Sequence, residues 1–163
     1  MTIINTASRL VTYGAAAATP LVTPETDVSQ FSTTTLKNLS LTDITRLSTS
    51  QVIQIDAANM AYLSGSQLAA FSTQQIQALT EPQVTALSST QLQSLSSRQV
   101  AAMSVEQINA ISTSKISALK ATQISAISTE VLSGLDNREL QNLTASQIQA
   151  LTTDQIVGLI ADQ

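Results

Sequence analysis

From Phe31 to Leu159 an apolar side chain stands at every eighth residue without a break, and a second follows five residues after each of the first sixteen. The first series runs Phe31, Leu39, Leu47, Ile55 and onward; the second runs Leu36, Ile44, Val52, Met60 and onward to Ile156. All 33 places are apolar in a chain that is 43% apolar, an outcome with a chance probability on the order of 10⁻¹². A chain rich in Ser, Thr and Gln invites a disordered reading, but this periodicity sets it aside in favour of a repeat architecture.

The rest of the octad says what each repeat does. The residue after the apolar anchor is Ser, Thr or Asp in fifteen of sixteen octads, with Lys120 the exception, and three residues later stands Gln or Glu in eleven. A hydroxyl that accepts the backbone N–H three residues on, a Gln that reaches back, and an apolar pair closing across both form a capping box inside a hydrophobic staple. Each octad therefore announces a new helix start. A single long helix fails because eight residues at 100° each carry equivalent positions about 80° round the cylinder per repeat. Strands fail because spacings of five and three put the two apolar positions on opposite faces. The expectation is an all-α solenoid of very short capped helices, one per octad, of about six residues and roughly 9 Å. Such helices are unstable alone and need caps and packing on neighbouring repeats.

Division of the chain follows: an irregular arm over 1–21, an entry helix over 22–30 opened by Thr23-Pro24-Glu25, and the octad array over 31–163. Pro82 falls in a first helical turn, where a missing N–H costs little. The residue before each anchor is small in eleven octads, which lets backbones approach closely. Asn38, Arg46, Gln54 and Tyr62 break that rule, so the first four octads are expected to pack differently or to act as a cap. The second apolar series does not alternate, which implies one repeated screw operation with an unknown number of octads per coil.

Composition narrows the function. The chain holds no His, Cys or Trp, which removes a catalytic His, a thiolate nucleophile, disulfides and Cys/His metal cages. A net charge of −4 with 11% charged residues argues against nucleic acid, which needs clustered Lys/Arg. No apolar run is long enough for a transmembrane segment, and the N-terminal stretch makes a poor signal peptide. Asp136 and Glu139 are three apart, but they are expected to be cap and box partner of one octad rather than an acid/base pair. Lys115 and Lys120 replace Gln and Ser in adjacent octads and read as a solvated pair facing Glu106 or Glu130, or as a local partner site.

The stretches LSSTQLQSLSSRQVAAM and LTASQIQALTTDQIVGL resemble bacterial octapeptide tracts of the LTxxQVxAL kind. Such tracts lie within large secreted or surface proteins described as adhesin-like or haem-utilisation-like. The resemblance covers about residues 31 to 160 and implies an extracellular or cell-surface protein. It implies no cofactor here. A haem ligand would have to be Met60, Met103, Tyr13 or Tyr62, and the two Met residues occupy core places of the repeat.

A solenoid exposes its core at an end unless an atypical repeat covers it. The last octads are regular, so Leu151, Ile156, Leu159 and Ile160 are expected to form an open apolar end, and Ile3, Ile4, Leu10, Val11 and Tyr13 an apolar arm that docks on it. A contact between two different surfaces that does not close gives a filament. The expected function is a non-enzymatic structural subunit that self-associates head to tail at the cell surface. The alternative is a monomeric or tethered binding module for a protein or glycan.

Overall fold

The computed structural model describes residues 21–162. Among them are sixteen short α-helices and one 3-10 helix, Val28–Gln30, with no strand. Every octad contributes one α-helix of four to six residues until the last, Thr153–Asp162, which runs to ten. The expected solenoid of short capped helices is the observed fold. The chain turns between helices through two extended residues, the anchor and the cap, as at Leu47 (φ −57°, ψ 125°) and Ser48 (φ −70°, ψ 159°). No described residue has a positive φ. Helix endings of the left-handed kind, which favour glycine, are thus avoided, and a chain with four glycines can make sixteen corners.

The box operates as the octad spells it. In Ser88–Ser94 the Gln91 backbone N–H donates to Ser88 Oγ (3.2 Å), and the Ser88 N–H donates to Gln91 Oε1 (2.8 Å). The same reciprocal pair recurs at Ser64, Ser72, Thr80, Ser96, Ser104 and Thr144. From Leu36 to Leu135 both apolar series are buried: anchors such as Leu47, Leu87 and Ile111, and their partners such as Ile44, Val84 and Ile108, form one continuous core with Met60 and Met103 inside it.

What closes the coil is the other end of the same Gln. The Gln91 side-chain N–H₂ donates to the carbonyls of Met60 (2.9 Å) and Leu63 (2.7 Å), which lie 31 and 28 residues earlier. Gln67, Gln75, Gln83, Gln99, Gln107, Gln123 and Gln147 repeat both separations. A coil is therefore 28 residues, three and a half octads, and each bridging Gln lies over the corner between two helices of the coil before, as Gln91 does over Met60 and Leu63. The conserved separation is the signature of one repeated screw operation.

Small residues before the anchors face the preceding coil. A Cβ on Gly134 would come within 2.8 Å of Val105 Cγ1, 29 residues earlier, and one on Gly65 within 2.9 Å of Ser94 Cβ, 29 residues later. Bulk on one coil is matched by its absence on the next.

The entry differs from the expected helix. Thr23 to Thr26 forms a turn closed by Thr26 N–H to Thr23 C=O (3.0 Å), and only Val28–Gln30 is helical, as 3-10 capped by Asp27. Pro24 suits a turn as well as a helix start, and Val22 and Val28, both buried, cover the first coil. Asp43 ties it down. Standing at an octad's Gln place, it accepts from Val22 N–H (3.2 Å), Ser40 N–H (3.3 Å) and Ser40 Oγ–H (2.6 Å).

Three predictions follow from these contacts. Gln91→Met removes three bonds and leaves the Leu63 carbonyl and the Ser88 N–H without those partners, so urea unfolding should show a loss of about 3 kcal/mol or more, whereas Gln77→Met, on an exposed place, should be within about 0.5 kcal/mol of the parent. Gly134→Ala should cost about 1–3 kcal/mol through overpacking, and Val105→Ala in the same chain should recover most of it in a double-mutant cycle. For Asp43, burial raises the carboxyl's pKa, but the bonds from Ser40, Val22 and Leu21 outweigh it and hold it below the ordinary value of 3.8. A lowered folded value means the carboxylate stabilises the fold above pH 3.8 and ceases to as pH falls through its own titration. The stability gap between the parent and Asp43→Asn should therefore be full at neutral pH and shrink below that point.

Candidate functional site

Burial in the octads is supplied from one side at a time. The second apolar residue of each octad, from Leu36 to Leu132, is at most 1% exposed, because the next coil lies across it. In the last coil the same place is 50% exposed at Ile148 and 42% at Ile156, and Val157 beside it is 61% exposed. Polar groups follow the same logic. Among the described residues the last bridges run from Gln147 to Ile116 and Leu119 and from Gln155 to Ser125 and Ile127. By that register the carbonyls of Leu140, Leu143, Ile148 and Leu151 receive no side-chain amide among the described residues. The last described coil thus presents the exposed side chains of Ile148, Ile156 and Val157 beside a row of acceptors.

Of the residues expected at an end contact, Ile156 is on this surface. Leu151 and Leu159 are half-buried and pack against the core, because anchors point inward within their own coil. Ile3, Ile4, Leu10, Val11, Tyr13 and the Ile160 side chain lie outside the described residues. Ile148 and Val157 were not anticipated. Ile148 belongs to the same series as Ile156, one octad earlier, and only the coil geometry shows that this series depends on the next coil for cover.

The other sequence candidates resolve individually. Lys115 is not a solvated cation paired with Glu106 or Glu130. It stands at a Gln place, and its Nζ donates across the coil to the Thr85 carbonyl at 2.7 Å. Lys120 is exposed at a cap place, where its backbone N–H still donates to Gln123 Oε1 (2.8 Å) and only the hydroxyl half of the box is missing. Asp136 and Glu139 do not form the expected box: Asp136 makes no side-chain cap bond, and Glu139 Oε2 is buried without a partner. Two anions cannot complement each other as a hydroxyl and an amide do. Asn109, on an outward place, is half-buried, with Nδ2–H donating to the Gly134 carbonyl (3.2 Å).

Elsewhere the surface is shallow. An open groove lined by Leu79, Thr80, Pro82, Glu81 and Glu106 runs between two coils. Glu106 is lowered by the Ser104 hydroxyl and its own backbone N–H. No group of three or more acidic side chains suited to a metal occurs among the described residues, and none of their helices is long and apolar enough to cross a membrane.

These features define an α-solenoid with side-chain bridges between coils. The chain is similar to the ALTTAQ repeat family over residues 52–89 and 83–113. In that name the small residue, the anchor, the cap and the bridging Gln can be read in register, as in Ala78-Leu79-Thr80-Glu81-Pro82-Gln83. Neither the curated proteins nor the solved structures contain a match.

Proposed function

We propose that the protein is a non-enzymatic structural solenoid that self-associates end on, through its C-terminal coil, into a filament outside the cell or at its surface. The observation that carries this reading is the exposure of Ile148 and Ile156 at a place that every earlier coil buries. Covering them with another apolar surface gains about 25 cal/mol per Å². An end that meets a different surface of a second copy extends without closing. The absence of His and Cys and the engagement of the Gln side chains in bridging favour a structural role over a catalytic one. The surface location rests on the resemblance to octapeptide tracts of secreted proteins.

A second reading, a binding module, has one observation in its favour. Leu41 and Ile53 are about half exposed in the early octads, and Lys37 Nζ lies 4.9 Å above the ring of the exposed Tyr62. This row departs from the Ser/Thr surface of later octads and suits a protein or glycan ligand.

Sedimentation velocity over rising concentration separates the two. Self-association predicts a mass that climbs with concentration in the parent and stays monomeric in Ile148→Lys/Ile156→Lys, with an unchanged helical circular dichroism spectrum because both side chains are already exposed. A parent that remains monomeric throughout removes the filament reading and leaves the binding module.

A further inference from the structure

Two buried side-chain oxygens among the described residues have no hydrogen-bond partner, Glu139 Oε2 and Asn109 Oδ1. They are 30 residues apart, and contacts at that separation join successive coils elsewhere: Gln107 to Gln77, Gln99 to Ala69, Lys115 to Thr85. Glu139 occupies a bridging place and is 7% exposed. An amide there would donate to the carbonyls of Ile108 and Ile111, 31 and 28 residues back, as Gln107 does to Ile76 and Leu79. A carboxylate has no hydrogen to donate. A carboxylate in that register would set oxygen against oxygen where the Gln107, Gln123 and Gln147 bridges set nitrogen against oxygen.

A carboxylate oxygen buried without a partner is costly and calls for an electropositive neighbour. A proton would give a single O–H, enough for one of the two carbonyls. A cation answers both carbonyls and the carboxylate together, and hard cations such as Ca²⁺ take carboxylate and backbone carbonyl ligands. The carbonyls also lie at the C-terminal end of the helix Val105–Asn109, where the backbone favours positive charge. The adjoining Asp136 carboxylate, which makes no cap bond, adds a second negative charge and favours a divalent ion. We infer that Glu139, with the carbonyls of Ile108 and Ile111, forms an inter-coil site for a hard divalent cation of the calcium kind, which takes the place of a Gln bridge. Such an ion would fasten the coil where it is weakest, since the preceding bridging place is Val131, which has no polar group either.

The test uses the full chain, stripped of metal with a chelator and then titrated with Ca²⁺ alone at neutral pH. Calorimetry should report one ion per chain, and thermal unfolding should shift upward by several degrees. Glu139→Gln restores the octad's own residue, so folding is not at risk. This variant should unfold at a higher temperature than the stripped parent and lose the response to Ca²⁺. A parent whose unfolding ignores Ca²⁺ overturns the site. A Ca²⁺ response retained in Glu139→Gln overturns it as well, because the ion then binds elsewhere.

Discussion

The glutamine amide that spans two coils is the interaction on which the rest of the structure depends. In a helical solenoid the backbone N–H groups are spent inside each helix, so coils cannot join through a backbone ladder as strands do. At each bridged helix end the last helical carbonyl accepts only the anchor's N–H, as Val52 does from Ile55, and the anchor's own carbonyl remains to be satisfied in a buried seam. Gln supplies both donors from one nitrogen, while its oxygen accepts the cap N–H of its own helix, as Gln83 does from Thr80 at 2.9 Å. One planar group thus fixes the start of its own helix and its height over the preceding coil. Asn59, one methylene shorter, reaches only Phe31 C=O at 3.2 Å, and Lys115 reaches one carbonyl at the cost of its box.

Much of this was legible because its causes are local. Helix length, the caps at Ser64 or Thr80 and the inward places of Ile44 or Leu95 all follow from residues within one octad. The coil was not legible, because a period of eight contains no trace of a separation of 28; the bridging role of Gln75 concerns carbonyls of Ile44 and Leu47, and the box alone already accounts for its conservation of type along the chain. For the same reason Ala78 or Gly134 could be recognised as small but not assigned to a neighbour in another coil. Asn109 takes an outward place in its own helix, yet its partner Gly134 sits 25 residues on. The end surface was found in part. Ile156 could be named from the sequence, whereas Ile148 required knowing that cover comes from the next coil.

Departures from the octad are unevenly placed, and this governs local stability. In the stretch from Gln67 to Gln107 each octad bridges the preceding coil with the full amide pair, whereas Lys115, Val131 and Glu139 interrupt the series later in the chain. In a repeat array the free energy is close to a sum of repeat and nearest-neighbour contributions. The seam facing Val131 and Glu139 is then the natural place for partial opening, with the Gln123 and Gln147 bridges on either side of it.

The half octad left over in each coil has a geometric consequence. One octad is eight residues of a 28-residue coil, so it swings the direction in which the chain leaves by two-sevenths of a turn, about 103°. Lengthening the array by a single repeat hardly changes its height but points whatever follows at a different compass bearing. Only after seven octads, two full coils, does the exit return to the same bearing. Repeat number in such a chain is therefore an angular setting, and gain or loss of one octad would re-aim an attached domain without disturbing a single core contact type.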